Sequence, residues 1–362
     1  MIDFASMAET KFRNREDLFA HFLPRGLVGA ELGVMRANHS QRMLESCSPK
    51  KLYLVDPWPN RDRRWVNVVD RFAGDDRVVV LRMTAVMAKA TAKELDFVEH
   101  DTASGWPQAY DELLAYDENL KDGGYLIYDC SDVRHNNGTR HMCLDKFLRR
   151  NNNYHIVAFT EEYSVAVAQK RSVSRSFDSR EAMYAAFPRG VGSEVGVLLG
   201  RNAKNLLSIA KPERLYLIDS WSGPDVWYKK GVDALSGSTV VDGEYGNEAY
   251  RIVSRSFAGL PVEIIRGDSV SSISSLTDSS LDWAYIDADH SRGGCLADLN
   301  ACLPKMKPNC VISGHDFVNK NLFGVISAVW SFLDTNKDFR MVGLADSNRF
   351  ASYMLARGDA NV

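Results

Sequence analysis

The sequence lacks an excess of one charge, a cysteine framework and an apolar run long enough to cross a membrane. Its 362 residues have a formal net charge of −3, so no broad basic surface predicts nucleic acid as a partner. The six cysteines show no CxxC spacing, which predicts reduced thiols in the cytoplasm rather than a disulfide scaffold. The longest apolar runs, such as Val78–Leu81, have the length of a strand, so no membrane span is expected. Met1–Phe4 show neither the basic nor the apolar region of a secretory signal.

What the sequence does contain is a repeated unit. Gly29–Val34 is followed by Leu52–Trp58, and Gly192–Gly200 is followed by Leu215–Trp221. Glu31 stands 25 residues before Asp56, and Glu194 stands 25 residues before Asp219. A tryptophan follows each aspartate two positions later. Two glycine turns followed at equal distance by Leu-Tyr-Leu-(Val/Ile)-Asp-x-Trp indicate an internal duplication.

The length of the chain is typical of two domains. The stretch Gln169–Asp178 between the repeats is rich in Arg and Ser and poor in large apolar residues, so we place the boundary near Arg171. This gives one domain over residues 1–170 and another over residues 171–362, each long enough to form its own core.

Short apolar stretches alternate with amphipathic ones in both halves, which predicts an α/β fold with a mostly parallel sheet and helices on both faces. Two closely spaced strands at the end of each half predict a hairpin, and hence a seven-stranded sheet with one antiparallel strand. We expect helices at residues 11–23 and Ser179–Phe187, ahead of the first strands, and a turn at Lys121–Gly124.

Five acids of the second half fall at or just past predicted strand ends: Glu194, Asp219, Asp268, Asp287 and Asp316. Ligands of such sheets bind beyond the carboxyl ends of the strands, so these side chains are expected along one edge. Backbone N–H groups lie at the start of the helix after the glycine turn, and an acid follows about one βαβ unit later. Together they predict a site where a ribose could bind.

The halves differ in length after the second strand. From Asp56 to Phe72 is 16 residues, whereas from Asp219 to the equivalent Phe257 is 38. The added stretch, roughly Ser222–Tyr250, carries Gly, Ser, Trp and Tyr residues, which predicts a lid or substrate loop. A plain surface excursion is the alternative.

Four motifs occur in order in the second half: Glu-x-Gly-x-x-x-Gly at Glu194–Gly200, Asp-x-Trp at Asp219–Trp221, Ile-Asp-x-x-His at Ile286–His290, and a strand ending His-Asp at Gly314–Asp316. Together they resemble the class I S-adenosylmethionine (SAM)-dependent methyltransferases. The resemblance covers essentially the whole second half and, more weakly, the first. It implies two tandem Rossmann-like methyltransferase domains.

The resemblance implies a set of cofactor-binding residues: Glu194, Gly196, Gly200, Asp219, Ser220, Trp221, Asp268, Ser269 and Asp287. Glu194, Gly196 and Gly200 would surround the methionine part of SAM, and Asp219 would bind the ribose hydroxyls. Asp268 and Ser269 would lie near the adenine, and Asp287 near the transferring methyl group. Trp221 more simply packs in the core than stacks on the cofactor.

The resemblance also implies the chemistry. Methyl transfer is an in-line displacement that needs a positioned and deprotonated nucleophile. Asp287, His290 and His315 are the candidate catalytic residues, and either histidine could take the proton. Some relatives hold a divalent metal at the corresponding strand ends, which here implies Mg²⁺ on Asp287 and Asp316, with His315 or Asp289.

The first half departs from this pattern. It has Ala37 in place of Gly200, and Met83–Ala85 and Glu99–Ser104 in place of two other motif stretches. It is therefore expected to be a degenerate copy that packs on the second domain as the subunits of a dimer would. Its retained acids leave binding of a second SAM or of substrate open, and the whole chain could form a homo-oligomer.

The expected function is methylation of a small-molecule acceptor in the cytoplasm, with neither nucleic acid nor membrane as partner. A hydroxyl of a sugar or secondary metabolite is the favoured acceptor, and N-methylation stays open. A nicotinamide-dependent oxidoreductase is the enzyme alternative, although Glu-x-Gly-x-x-x-Gly stands where Gly-x-Gly-x-x-Gly would be required. The non-enzyme alternative is a regulatory protein that binds a nucleotide or SAM without catalysis.

Overall fold

The computed structural model describes residues 10–59, 62–130, 139–161, 164–236, 240–318, 323–345 and 350–360. The chain forms two compact units, one ending at Ser172 and one beginning at Val173. Within the described residues, no helix is both long enough and apolar enough to cross a membrane.

The elements of the first unit are, in order, β1 (Thr10–Phe12), α1 (Arg15–Phe22), β2 (Val28–Leu32), α2 (Asn38–Ser46), β3 (Lys51–Val55), α3 (Arg63–Arg71), β4 (Val78–Leu81), α4 (Ala85–Ala88), β5 (Leu95–His100), α5 (Gln108–Asp117), β6 (Leu120–Asp129), α6 (Thr139–Arg150), β7 (Tyr154–Thr160) and β8 (Val165–Lys170).

Those of the second unit are β9 (Arg175–Phe177), α7 (Arg180–Tyr184), β10 (Val191–Val195), α8 (Arg201–Ile209), β11 (Arg214–Asp219), α9 (Asp225–Leu235), α10 (Tyr245–Ser256), β12 (Val262–Arg266), α11 (Ser269–Ser274), β13 (Leu281–Ile286), α12 (Arg292–Cys302), a 3₁₀ turn (Leu303–Lys305), β14 (Met306–Phe317), α13 (Val325–Thr335), β15 (Phe339–Ala345) and β16 (Ala351–Arg357).

The two sheets have the same order of strands. The first reads β4-β3-β2-β5-β6-β8-β7-β1, and the second reads β12-β11-β10-β13-β14-β16-β15-β9. Among the described strands, only β8 and β16 run antiparallel to both of their neighbours. Rossmann-like sheets with one reversed strand are thus confirmed in both units.

Each sheet has eight strands among the described residues, rather than the expected seven. The additional strands are the edge strands β1 and β9, which have only three residues each. Such short strands carry too few residues for a periodic pattern. The helix predicted over residues 11–23 is wrong at its start, because Asn14 caps α1 by accepting from the N–H of Asp17.

The turn predicted at Lys121–Gly124 is also wrong, because these residues lie within β6. Residues 121–124 of β6 have no partner in the register with β5, because Leu95 pairs with Leu120 and Phe97 pairs with Tyr125. The glycines therefore mark a bulge in a strand rather than its beginning.

The core of the second unit lies on both faces of its sheet, as helices on both faces require. The central strands lie close together at Gly192, where an added Cβ would be 2.1 Å from Cζ2 of Trp283. All six cysteines are free and buried. The insertion predicted as a loop is largely helical, as it holds α9 and the start of α10; residues 237–239 lie outside the described part.

Candidate active site

The glycine turn of the second unit joins β10 to α8 and packs against the end of β13. Gly196 and Gly200 have positive φ values of 89° and 74°, and Leu198 between them has 54°. A Cβ on Gly196 would lie 2.0 Å from the carbonyl oxygen of Asp287. Only glycine combines this backbone conformation with this close approach, so the turn and the strand that ends at Ile286 are held in contact.

Asp219 holds the shape of this turn. Its Oδ2 accepts from the N–H groups of Val197 and Leu198, both at 2.8 Å, and its Oδ1 accepts from the N–H of Trp221 at 2.7 Å. The indole of Trp221 is buried and donates to the carbonyl of Leu198 at 2.8 Å. Trp221 thus packs beneath the turn, and its predicted contact with a cofactor stays a prediction, as does that of the half-buried Ser220 beside it.

Glu194 is buried at the end of β10, where Asn202 donates to its Oε1 at 3.0 Å. Burial raises the pKa of Glu194 well above its usual range, and the hydrogen bond from Asn202 only partly opposes this. Its Oε2 has no hydrogen-bond partner among the residues that the structure describes. A buried carboxyl group with one oxygen left over has the properties of a ligand-binding group.

Asp268 and Ser269 have local roles at the start of α11. Asp268 is exposed and caps this helix, accepting from the N–H of Ser271 at 3.0 Å. Backbone and side-chain hydrogen bonds from Ser271 lower its pKa. The hydroxyl of Ser269 donates to Asp298 at 2.6 Å. Their predicted position near an adenine is not tested by these contacts.

The structure brings together the predicted residues at the ends of β13 and β14. His290 Nε2 lies 3.2 Å from Asp287 Oδ1 and 2.9 Å from Asp316 Oδ2. His315 Nδ1 lies 3.3 Å from Asp316 Oδ1 and 3.8 Å from Asp287 Oδ1. Two carboxylates and two imidazoles thus form one cluster, which we call the His–Asp cluster. The strand ends converge as the sheet topology predicts.

In the His–Asp cluster, each imidazole or carboxylate stabilises the charged form of its partners. Burial lowers the pKa of His290, but its hydrogen bonds to Asp287 and Asp316 outweigh burial and raise this pKa to about 10. Burial raises the pKa of Asp316, but hydrogen bonds from His290 and His315 bring it well below its usual range. Asp316 also has a positive φ of 54°, a strained conformation that is found at functional sites.

Three members of the cluster could hold a metal ion. One ligand atom from each of Asp287, His290 and Asp316 lies within 4.8 Å of the others. Asp289, named as a possible further ligand from the sequence, instead accepts from the N–H of Ser291 at 2.8 Å. His290, expected only as a catalytic residue, thus joins the two acids as a candidate ligand.

Sequence reasoning missed two neighbours of the site. Asn202 fixes Glu194 and itself accepts from the hydroxyl of Tyr184 at 2.7 Å. The ring of Phe323 stacks on His290, with centroids 5.1 Å apart and planes at 14°. The position of Asn202, eight residues after the buried acid in the helix that follows the turn, is a signal that could have been used; Phe323 offers none.

The first unit repeats the turn. Asp56 accepts from the N–H groups of Met35 at 3.0 Å and Trp58 at 2.8 Å, and the Trp58 indole donates to the carbonyl of Met35 at 3.0 Å. Gly33 has a φ of 92°. The loop of the first unit thus has the same frame of acid, tryptophan and glycine as that of the second.

Among proteins with a curated function, none matches the chain. Several solved structures are similar to one half of it. The N-methyltransferase NodS from Bradyrhizobium japonicum is 12% identical, covering 44% of this chain and 95% of its own, with a TM-score of 0.35. The precorrin-6y C5,15-methyltransferase from Geobacter metallireducens is 15% identical, covering 46% and 93%, with a TM-score of 0.35. Fibrillarin from Aeropyrum pernix, solved with S-adenosyl-L-methionine, is 14% identical, covering 41% and 67%, with a TM-score of 0.33.

Residues 193–317 match the family described as "Methyltransferase domain". This range begins just before Glu194 and ends just after Asp316, so it contains the glycine turn, the Asp219 frame and the whole His–Asp cluster. The part of the second unit that holds these features thus matches a methyltransferase domain.

Proposed function

We propose that the second unit binds SAM at the carboxyl edge of β10, β11 and β13 and transfers its methyl group to a hydroxyl of a small-molecule acceptor. One observation carries this proposal. Gly196 of the turn lies against the Asp287 carbonyl, so a ligand seated on the turn is next to the His–Asp cluster. The binding loop and the acid–base groups therefore share one edge of the sheet.

Asp219 is suited to bind the ribose. A carboxylate offers about four lone-pair positions, and three N–H groups already use three of those on Asp219. The remaining position, on a side chain that is only half-buried, is available for one ribose hydroxyl. The unsatisfied Oε2 of Glu194 lies on the neighbouring strand and would accept from the amino group of the methionine part.

The two histidines have different roles in this proposal. His290 is protonated at neutral pH, because Asp287 and Asp316 raise its pKa to about 10, and a protonated imidazole has no lone pair with which to accept a proton. We therefore assign His290 to holding the two carboxylates together. His315, whose Nδ1 is 3.3 Å from Asp316 Oδ1, is assigned as the group that takes the proton of the acceptor hydroxyl.

Binding of a divalent cation would displace the proton of His290 and make Asp287, His290 and Asp316 its ligands, since their donor atoms lie within 4.8 Å of one another. Such an ion would lower the pKa of an acceptor hydroxyl and orient it. The imidazole among the three donors favours a first-row transition metal over the Mg²⁺ expected from the sequence, since Mg²⁺ prefers oxygen ligands.

For the first unit we propose descent from the same ancestral domain by internal duplication. The equal order of strands in the two sheets and the shared frame of acid, tryptophan and glycine support this. Packing of the first unit on the second as a pseudo-dimer, assembly of whole chains and a cytoplasmic location stay predictions.

The binding test is a calorimetric titration of SAM into the full chain, with Asp219→Ala and Asp56→Ala titrated in parallel. One site per chain, lost in Asp219→Ala and kept in Asp56→Ala, supports the assignment to the second unit. Circular dichroism of each variant controls for folding. Binding that survives Asp219→Ala contradicts the proposed ribose contact, and absence of binding in wild type contradicts the proposal.

The acceptor test uses SAM labelled on its methyl group and a panel of hydroxyl and amine compounds, sugars and phenols included. Label transferred to hydroxyl compounds supports O-methylation, and label transferred only to amines replaces it by N-methylation. SAM binding without turnover on any acceptor favours the regulatory alternative. Tight binding of NAD in place of SAM favours the oxidoreductase.

A further inference from the structure

The first unit contains a buried cluster of charged side chains that the proposed function does not use. Arg15, the first residue of α1, donates from Nη1 to Glu99 at 2.9 Å and to Asp101 at 3.0 Å, and from Nη2 to Asp129 at 2.7 Å. Its side chain is 14% exposed, and that of Glu99 is 1% exposed. We call these four residues the Arg15 cluster. A guanidinium fork bonded to three carboxylates is strongly held.

The Arg15 cluster lies at the first unit's counterpart of the His–Asp cluster. The N–H of Asp101 donates to the carbonyl of Leu32, the last residue of β2, at 2.9 Å, and the N–H of Asp287 donates to Val195, the last residue of β10, at 2.7 Å. A Cβ on Gly33 would lie 2.3 Å from the carbonyl oxygen of Asp101, just as Gly196 lies against Asp287. Asp101 and Asp287 therefore occupy equivalent positions.

Two of the three carboxylates that hold Arg15 are specific to the first unit. Strand register aligns Glu99 with Tyr285 and Asp129 with His315. The arginine itself is not specific, because α7 also begins with one. The change between the units therefore lies in the strand-end residues, which provide Arg15 with two additional negative partners.

A second arginine approaches the same carboxylates. Arg140 Nη1 lies 3.6 Å from Asp101 Oδ1 and 3.6 Å from Asp129 Oδ1, and its Nη2 donates to the carbonyl of Thr102. Its side chain is also buried. Asp101 and Asp129 thus lie near two guanidinium groups, so these two acids of the first unit are already engaged by cations of the chain itself.

We propose that Arg15 is a built-in occupant of the first unit's strand-end site, where its guanidinium takes the place of a cationic ligand and excludes SAM. SAM carries a sulfonium cation, and a cluster of acids at this edge attracts cations of any origin. This inference goes beyond the proposed function, because it concerns the unit to which no reaction is assigned. It also explains why the first unit keeps acids although its motifs have diverged.

The test is chemical rescue of the full chain. Arg15→Ala removes the guanidinium that bonds to three carboxylates at once, so we expect its unfolding temperature in scanning calorimetry to fall by roughly 10 °C. Millimolar guanidinium chloride, compared with sodium chloride at equal ionic strength, should restore at least half of that loss by filling the vacated site. The matched control is Arg42→Ala, which removes an arginine paired with Glu16 on the surface of the same unit; it should unfold near the wild-type temperature and show no such response.

A second variant keeps the proposal testable if Arg15→Ala does not fold. In the triple variant Arg15→Ala, Glu99→Gln, Asp129→Asn, two of the acids are neutral, so it should fold without Arg15 and lose the response to guanidinium. A triple variant that also fails to fold would overturn the proposal, because Arg15 would then be needed for another reason. Equal responses to guanidinium in Arg15→Ala and Arg42→Ala would overturn it too.

Stoichiometry of SAM binding separates this inference from the proposed function. One site per wild-type chain agrees with both, whereas two sites would overturn the role of Arg15 as an occupant. Absence of any SAM binding would count against the proposed function alone, since the response of Arg15→Ala to guanidinium does not involve SAM.

Discussion

In both units an aspartate at the end of a strand, Asp56 after β3 and Asp219 in β11, accepts hydrogen bonds from backbone N–H of the glycine turn. The indole of the tryptophan two residues later donates to a carbonyl of the same turn. The units differ in what lies beside it. In the second unit, Asp287 and Asp316 surround His290. In the first, Asp101 and its neighbours surround Arg15.

The glycine turn is therefore kept in both units, whereas the cluster of side chains at the strand ends has changed independently of it. The loop depends on hydrogen bonds within its own segment and the adjacent strand, so it persists without a ligand. The cluster depends on side chains from distant segments, and its residues differ between the units: Ser104 and Cys130 stand where the second unit has His290 and Asp316, and Glu99 and Asp129 stand where it has Tyr285 and His315.

Asp287→Ala should lower the rate of methyl transfer by roughly 1,000-fold, because the proposed function places this carboxylate beside the reacting atoms. The rate with labelled SAM and the identified acceptor is the measurement. Asp289→Ala is the matched control, since Asp289 only caps the following loop, and its rate should stay near that of wild type. Equal losses in the two variants would remove the His–Asp cluster from the mechanism.

Gly196→Ala should weaken SAM binding by about 100-fold and lower the free energy of unfolding by about 3 kcal/mol, because the new Cβ meets backbone at a positive φ. Calorimetry and urea unfolding measure the two effects. Gly259→Ala has a similar φ of 76° but open space around it, so it should lose only about 1 kcal/mol and bind SAM normally. Normal SAM binding by Gly196→Ala would contradict the assigned role of the turn.

Trp221→Phe should weaken SAM binding about tenfold, since loss of the indole donor loosens the turn by about 1.4 kcal/mol. Trp58→Phe removes the equivalent bond in the first unit and should lower stability by a similar amount while leaving SAM binding unchanged. Titration of both variants decides the matter. A change in SAM affinity in Trp58→Phe would show that the first unit takes part in binding.

His290 should make stability depend on pH above neutrality. Its pKa is about 10 in the folded state and about 6.5 in the unfolded chain, so the folded state binds more protons between these values. Its contribution is therefore fully present below about pH 6.5 and is lost as pH rises to about 10. His290→Gln should flatten the fall in unfolding temperature over this range, whereas exposed His21→Gln should keep the wild-type slope.

The sequence predicts the His–Asp cluster well because parallel strands end at one edge, so acids and histidines placed at strand ends must converge. It cannot predict the Arg15 cluster, because no local pattern connects residue 15 to strand ends more than 80 residues away. The helix in the insertion was missed for a related reason. Tyr228 is buried in α9, and this packing overrides the turn-forming tendency of the surrounding Gly and Ser residues.

The frame of Asp219 and Trp221 also has a consequence for the rate of ligand capture. Leu198 in the turn and Trp221 in the frame both have positive φ values, 54° and 48°, and hydrogen bonds within the chain fix the shape of the turn. A pre-organised loop loses little conformational entropy when a ligand arrives, so more of the contact energy goes into affinity. Association should therefore be a single fast step, without the slow phase that ordering of a loop would add.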